Sequence, residues 1–450
     1  MEIKKLEFIE KIVREVANEY KPTSKEVVED LEIIEDLKHR LSKFLPKEVE
    51  LLLVGSVAKN TQLKNERDAD LFVLFPKSFS DKKIAELTLS TSKKVLKKGE
   101  KLLLRFANHP YATIVSKGLR IDVVPAYKIS KTTELGTPVD RSPFHTKFIN
   151  QNFDEYLRDQ VRALKIFLKR NLLYGAESKV KGFSGYLCEV LILYYGSFAK
   201  LVEEASNWKG RVIIDFRNKG KEKELEKEYE IFEEDFVVID PTDKKRNIAA
   251  QVSKENFIKF ILLCRSFLKR PSKNFFKYPK KGKKIVNANS IVLVFDTPKG
   301  RGGIEDVYYP QLRKASQIIK RNLEEEGFDV LDVSYFARKK KTYVVARINK
   351  KEQFAKKIIG PSFELKEAVE NFISKHKNAE IGVEENKIFA IEEARFKSEI
   401  EVIENLIKNK ERFGIPKYIT FSNLKILNKI PRFIKKELEF ENAVRKRLNS

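Results

Sequence analysis

The sequence predicts a multidomain α+β protein built around a small mixed sheet flanked by helices, and three observations carry that expectation. The first is the stretch Leu51 to Pro76. There an apolar run of strand length ends in Gly55-Ser56 and, after a polar connection, Asp68-Ala69-Asp70 opens a second apolar run to Phe75. The second is another aspartate, Asp122, set inside the apolar run Leu119 to Pro125. The third is size: 450 residues with 42% hydrophobic content exceed what one core holds and suffice for several.

Side chains at i and i+2 of a strand point to the same side, so Asp68 and Asp70 project together while Ala69 faces away. Two carboxylates on one face repel and are costly to desolvate unless a cation sits between them. An oxygen-only set of this kind suits Mg²⁺ completed by substrate phosphates. Gly55-Ser56 can bring backbone N–H groups and a hydroxyl up to a phosphate. An isolated D-x-D is more often a solvated strand start. Here strand-GS, spacer and D-x-D-strand follow in order, the signature of the polymerase-β-like nucleotidyltransferases. That pattern requires a third carboxylate on a neighbouring strand. Asp122 supplies it, and an ion pair with Arg120 is the competing reason for a charge there.

Before this palm, residues 1–46 read as two helices, with Ser24 as N-cap of the second and Pro46 closing it. Within it, a helix is expected over Lys82 to Lys98 and a strand over Lys101 to Phe106. His109 is either a turn histidine or a palm-edge group near the nucleotide or primer end. Residues 132–147 read as a polar connector, followed by a helix from Tyr156 to Asn171. After the break at Tyr174-Gly175-Ala176, an apolar helix runs from Leu187 to Phe198, and its Glu189 needs a buried partner that the sequence does not name. A short strand follows at Val212 to Phe216. Asp240-Pro241-Thr242-Asp243 reads as a turn and helix cap in preference to further metal ligands, with Arg246 just beyond it and a helical region to Leu268.

From Ser290 the order is strand (Ile291 to Phe295), helix (within Tyr309 to Phe328), strands (Val330 to Ala337, Thr342 to Ile348), helix (Phe363 to His376) and extended segments to Ala394. This β-α-β-β-α-β order is the ferredoxin-like split arrangement shared by RNA-recognition folds. Its basic tip, Arg338 to Lys341, suits a polyanion, but the aromatic signature of single-strand readers is missing, so backbone and shape contacts are expected. The expected division is a palm at 1–146, a mostly helical neck at 147–285, the ferredoxin-like domain at 286–396 and a basic helical segment at 397–450.

Ninety Lys and Arg against 65 Asp and Glu give a net charge of +25, which points to a nucleic-acid partner. Heat-adapted enrichment of charge raises both signs together, so it accounts for 34% charged residues but not for the imbalance. Cys188 and Cys264 lack metal-ligand spacing and point to a reducing interior. No apolar run approaches the ~20 residues of a membrane span and no signal peptide is evident, so a soluble cytoplasmic protein without a membrane partner is expected.

Several spaced blocks together carry a further resemblance. Gly55-Ser56, Asp68-Ala69-Asp70, His109-Pro110-Tyr111 and Ile121-Asp122-Val123-Val124-Pro125 resemble the archaeal class I CCA-adding enzymes (tRNA nucleotidyltransferases). So do Val139 to His145, Tyr174-Gly175-Ala176, Gly182 to Glu189, and Asp240-Pro241 with Lys245-Arg246-Asn247. The resemblance is dense from about Leu51 to Phe276. It implies sequential addition of C, C and A to the tRNA 3′ end from CTP and ATP without a template, with the acceptor stem and T arm gripped by head, neck, body and tail. It further implies that Asp68, Asp70 and Asp122 hold two Mg²⁺ ions, and that Gly55, Ser56, Lys165 and Tyr174 hold the triphosphate. Lys59 stands where the family usually has an arginine, and Arg246 matches the arginine that helps read the base. Ser142, His145, His109, Asp140 and Arg141 match positions around the nucleotide and primer end. Asp68 replaces a usual Glu and Ser142 a usual Thr, which leaves activity and base selection expected. Homodimerisation stays open. Two other readings remain: a poly(A) polymerase or oligonucleotide synthetase on the same palm, and a catalytically silent RNA-binding protein.

Overall fold

Strand alternation decides which face of the palm carries the aspartates. The sheet comprises β1 (Glu50–Val54), β2 (Asp68–Phe75), β3 (Lys101–Phe106), β4 (Pro110–Ser116) and β5 (Leu119–Tyr127), in the order β1-β2-β5-β4-β3. β2 and β5 run parallel and the other neighbours antiparallel. Ala69, Leu71, Val73 and Phe75 of β2, with Ile121 and Val123 of β5, lie under Ile34 and Leu37 of one helix and Ile84 of another. The opposite faces of the same strands carry Asp70, Phe72 and Leu74, and Asp122, Val124 and Ala126. β4 escaped the sequence reading because two of its buried positions are polar, Thr113 on the aspartate face and Ser116 on the core face, and they break the apolar signal.

The computed structural model describes residues 2–106, 110–134, 137–219, 226–279, 288–300, 304–349 and 355–449. It divides into two units, Met1–Pro279 with Val444–Ser450, and Lys280–Ala443. In the first, α1 (Ile3–Tyr20) and α2 (Ser24–Ser42) open the chain. Thr23, not Ser24, caps α2: its hydroxyl accepts from the Glu26 N–H while the Glu26 carboxylate accepts from the Thr23 N–H. α3 (Gly55–Ala58) follows β1, and α4 (Asp81–Lys94) follows β2. The expected connector at 132–147 turns helical at its end, where α5 (Ser142–Asn152) begins with Pro143 in its first turn.

A helical layer then forms from α6 (Glu155–Arg170), α7 (Gly185–Tyr195), α8 (Phe198–Asn207) and, after three short strands, α9 (Lys254–Lys269). α1, expected with the palm, buries Ile9, Ile12 and Val13 in this layer instead. The expected continuous helix to Phe198 breaks at Gly196, whose φ of 80° ends α7, and the chain turns by 91° into α8. Among the described residues no single helix is long and apolar enough to cross a membrane. The short strands are β6 (Val212–Ile214), β7 (Phe236–Asp240) and β8 (Asp243–Asn247). The helix expected to start at Lys244 is therefore a β-hairpin arm first. Asp240 forms the turn between β7 and β8, its carboxylate accepting from the Thr242 N–H and hydroxyl at 2.9 and 2.8 Å.

In the second unit, β9 (Asn289–Asp296), α10 (Glu305–Glu325), β10 (Val330–Arg338) and β11 (Lys341–Ile348) follow the expected order. The closing half differs. β12 (Ala355–Ser362), α11 (Lys366–Lys375), β13 (Glu380–Glu384) and β14 (Lys387–Glu393) form a separate sheet in the order β12-β14-β13. The ferredoxin-like sheet is completed by α12 (Glu399–Lys408) and β15 (Lys425–Leu427), giving β10-β11-β9-β15. β15 has three residues, too few for a periodic signal. The stretch from Glu399 is thus not a detached basic tail. α13 (Arg432–Arg445) packs Ile434 and Leu438 on the sheet face opposite α10, over Val292 and Val345.

Candidate active site

Asp70 and Asp122 are register partners on β2 and β5, as are Asp68 and Arg120. Parallel pairing therefore puts the three carboxylates on one edge of one face. Burial and the Asp122 charge push the Asp70 carboxyl up to about 6, and burial raises Asp122 as well. Asp122 is steadied by the Thr113 hydroxyl, which donates to it at 2.6 Å across the β4–β5 ladder. Arg120 does form an ion pair, but with Asp68 at 3.2 Å and not with Asp122. Among the described residues no group of three or more His, Cys, Asp or Glu is drawn together closely enough to hold a metal ion. The donors nonetheless fit a hard divalent cation. They are all oxygen, and Asp70 is a half-buried, desolvated carboxylate facing another of like charge.

Gly55 lies against Asp70. It has φ +75°, and a Cβ there would come within 2.1 Å of Asp70 Oδ2. Only glycine gives both the turn and the clearance. Its N–H is turned to the Thr146 hydroxyl of α5 at 3.3 Å. Ser56 sits in the first turn of α3, directly after it.

Lys59 follows α3 and is buried. Its ammonium donates to Glu189 of α7 at 2.5 Å and lies 5.6 Å from the centre of the Tyr186 ring. Lys165 of α6, also buried, donates to the carbonyl and hydroxyl of Thr61 at 2.9 and 3.1 Å. Gly185, at the start of α7, lacks the Cβ that would sit 3.2 Å from the Tyr174 hydroxyl and 3.8 Å from Lys165 Nζ. An ammonium and a phenol therefore gather at a helix N-terminus, a ready anion site.

On the far side of Tyr186, His145 stacks against its ring at 3.8 Å between centroids. His145 Nε2 donates to Asp240 Oδ2 at 2.9 Å, Arg246 Nη1 donates to the same oxygen at 3.2 Å, and the Tyr186 hydroxyl donates to Oδ1 at 3.1 Å. Burial holds the imidazole below its usual range despite Asp240. The bonds from His145 and Thr242 outweigh burial and hold Asp240 at about 2. A depressed pKa means that Asp240 contributes stability above its ordinary value of 3.8, lost as pH falls through about 2. Asp240→Asn should therefore cost the fold about 2 kcal/mol at neutral pH. The difference from wild type should shrink toward zero as pH falls through that window, read by urea denaturation across pH.

Lys59 joins these groups, since its charge acts on Asp70 and on His145 alike. Ser142 opens α5, and its carbonyl accepts from the Thr146 hydroxyl at 2.9 Å. Arg141 pairs with Asp243 at 3.2 Å. Asp140, expected near the primer, is fully buried, and its oxygens accept from the Tyr127 and Thr137 N–H groups at 3.0 and 2.7 Å. It closes the turn that carries α5. His109 lies outside the described residues. The sequence reading gave no site role to Thr61 or Thr113, and it placed Tyr186 and Asp240 in blocks of the resemblance without naming either as a site residue. For Asp240, the run of buried apolar residues before it was the available signal.

A glycine-serine turn after the first strand, carboxylates on two adjacent parallel strands and a lysine ammonium beside a helix start define a polymerase-β-like nucleotidyltransferase. Residues 32–149 match the nucleotidyltransferase domain model, 159–277 the second domain of tRNA nucleotidyltransferase, and 287–419 the C-terminal domain of the CCA-adding enzyme. A CCA-adding enzyme of Methanocaldococcus jannaschii is 38% identical over 434 residues, covering 93% of this chain and 95% of the relative. One of Archaeoglobus fulgidus is 37% identical, with 86% and 87% covered, and one of Saccharolobus solfataricus is 33% identical, with 94% and 100% covered. The chain belongs to the CCA-adding enzyme family. Among solved structures, a Cid1 poly(U) polymerase with bound Mg 3′-dATP aligns at a TM-score of 0.47 and 18% identity, over 60% of this chain and 98% of that one.

Proposed function

We propose that this chain adds C, C and A in turn to the 3′ end of tRNA, taking CTP and ATP and releasing pyrophosphate, without a nucleic-acid template. The observation that carries the reading is the union of two charge sets on one face: Asp70 and Asp122 on adjacent strands, and Lys59 beside them. Carboxylates alone make a cation site and lysines alone an anion site; together they suit a metal-nucleotide.

Asp68, Asp70 and Asp122 would hold divalent ions, Mg²⁺ in this reading. These supply activation of the primer hydroxyl and neutralisation of the leaving pyrophosphate. Thr113 keeps the Asp122 carboxylate aimed. Gly55 and Ser56, Lys165 and Tyr174 bind the triphosphate, with Lys59 behind them. Arg246 and His145, fixed by Asp240, border the base, and a wrong base leaves such buried polar groups unpaired. The tRNA partner, gripped at its acceptor stem and T arm, accords with the +25 net charge. We place the reaction in the cytoplasm.

The test offers all four nucleoside triphosphates with a tRNA transcript ending at the discriminator base, then sequences the 3′ ends. Only C, CC and CCA extensions are expected, abolished by EDTA and restored by Mg²⁺. Uridine or adenosine tails would overturn the reading.

A further inference from the structure

Glu189 lies one helical turn beyond Gly185 on α7 and is fully buried. Its Oε2 accepts from Lys59 Nζ at 2.5 Å, and its Oε1 accepts from the Thr61 hydroxyl at 2.6 Å. Lys165 Nζ is 3.6 Å from that same Oε1. One carboxylate thus faces two ammoniums that arrive from different elements, Lys59 after α3 and Lys165 on α6. A buried ion pair made only for the fold would balance its charges, because an excess buried charge is expensive. This cluster does not balance. Counted over these three groups it keeps one net positive charge beside the N-terminus of α7, where the helix adds further positive potential and from which Lys59 also acts on Asp70.

We propose that Glu189 is a positioning residue for the triphosphate: it aims the Lys59 and Lys165 ammoniums and sets the net charge that receives the phosphates. The inference rests on the reading that these two lysines serve the triphosphate. Since CTP and ATP share that part, Glu189 governs how tightly both are held and does not tell them apart. Selection of the base falls to the Arg246–Asp240–His145 group on the far side of Tyr186.

A pH consequence follows. Lys165 faces Glu189 and Cys188 of α7, Lys59, Arg162 on its own helix and the Tyr174 hydroxyl. Burial, Lys59 and Arg162 favour its neutral form, and the Glu189 charge opposes them. Without that charge Lys165 loses its proton at a lower pH, and nucleotide binding weakens as pH rises.

The experiment measures kcat and KM for CTP on tRNA ending at the discriminator base, and for ATP on tRNA ending in CC, across pH. Glu189→Gln should raise both nucleotide KM values by one common factor, about 10- to 100-fold, the range for loss of a hydrogen-bonded charge partner. The increase should grow with pH, while kcat and the KM for tRNA hold. Glu189→Asp, which keeps the charge, should recover much of the loss. Unchanged nucleotide KM values in Glu189→Gln, or a pH-independent fall in kcat and tRNA affinity together, would overturn the proposal. Lys165→Ala separates the two levels. If it leaves nucleotide KM unchanged, the triphosphate reading fails; if it raises KM and Glu189→Gln does not, the positioning role alone fails.

Discussion

Replacing Asp122 by alanine should lower CMP and AMP incorporation by about 10³-fold or more, while tRNA affinity stays within about twofold of wild type. Asp122 faces Asp70 across the parallel β2–β5 ladder and is aimed by Thr113. Removing it halves the carboxylate pair at the heart of the site. It does not touch the basic surface, so binding to tRNA has no reason to change. Stability provides a further check. Burial raises the pKa of Asp122, so the ionised group costs the fold energy. The alanine variant should therefore melt at or slightly above wild type, the unpaired Thr113 hydroxyl offsetting part of the gain. Filter binding, single-turnover incorporation and a thermal melt read the three quantities. Parallel loss of binding and turnover in a folded variant would contradict the account.

Gly55→Ala should also be damaging, though less so and with no charge lost. The new methyl would lie 2.1 Å from Asp70 Oδ2, so the carboxylate must move. The backbone at φ +75° also penalises any L side chain, by roughly 1–2 kcal/mol. A displacement near 1 Å at a reacting centre costs about 10² in rate. We expect kcat to fall by about that factor, with the tRNA KM unchanged and a melting temperature lower by a few degrees. An Asp70 that tolerates the methyl at full activity would show that Gly55 serves only the turn.

The palm was legible because its chemistry conflicts with its surroundings. Aspartates inside apolar strands are costly, so Asp68, Asp70 and Asp122 stand out from the periodic pattern. Glu189 was legible as a group in need of a partner, but its hydrogen-bond partners, Lys59 and Thr61, are 128 to 130 positions away in sequence, beyond any local signal. The competing Arg120–Asp122 pair does not form, because parallel register sets Arg120 opposite Asp68. Register is a tertiary property. β4 stayed hidden since buried Thr113 and Ser116 look like loop residues until they are seen beside Asp122 and Leu119. In the second unit the β12–α11–β13–β14 module carries a helix and strands where the ferredoxin-like pattern wants them. Order alone could not say that Lys425–Leu427 would take the last place in the sheet.

The most direct test of the central claim gives the enzyme a tRNA transcript ending at the discriminator base, Mg²⁺, and labelled CTP or ATP, alone and together. The account predicts that CTP alone adds two residues and stops, and that both nucleotides add CCA and no more. ATP alone should add no tail. Long adenosine tails from ATP alone would make this a poly(A)-type polymerase on the same palm, and tight tRNA binding without incorporation would make it a silent RNA-binding protein.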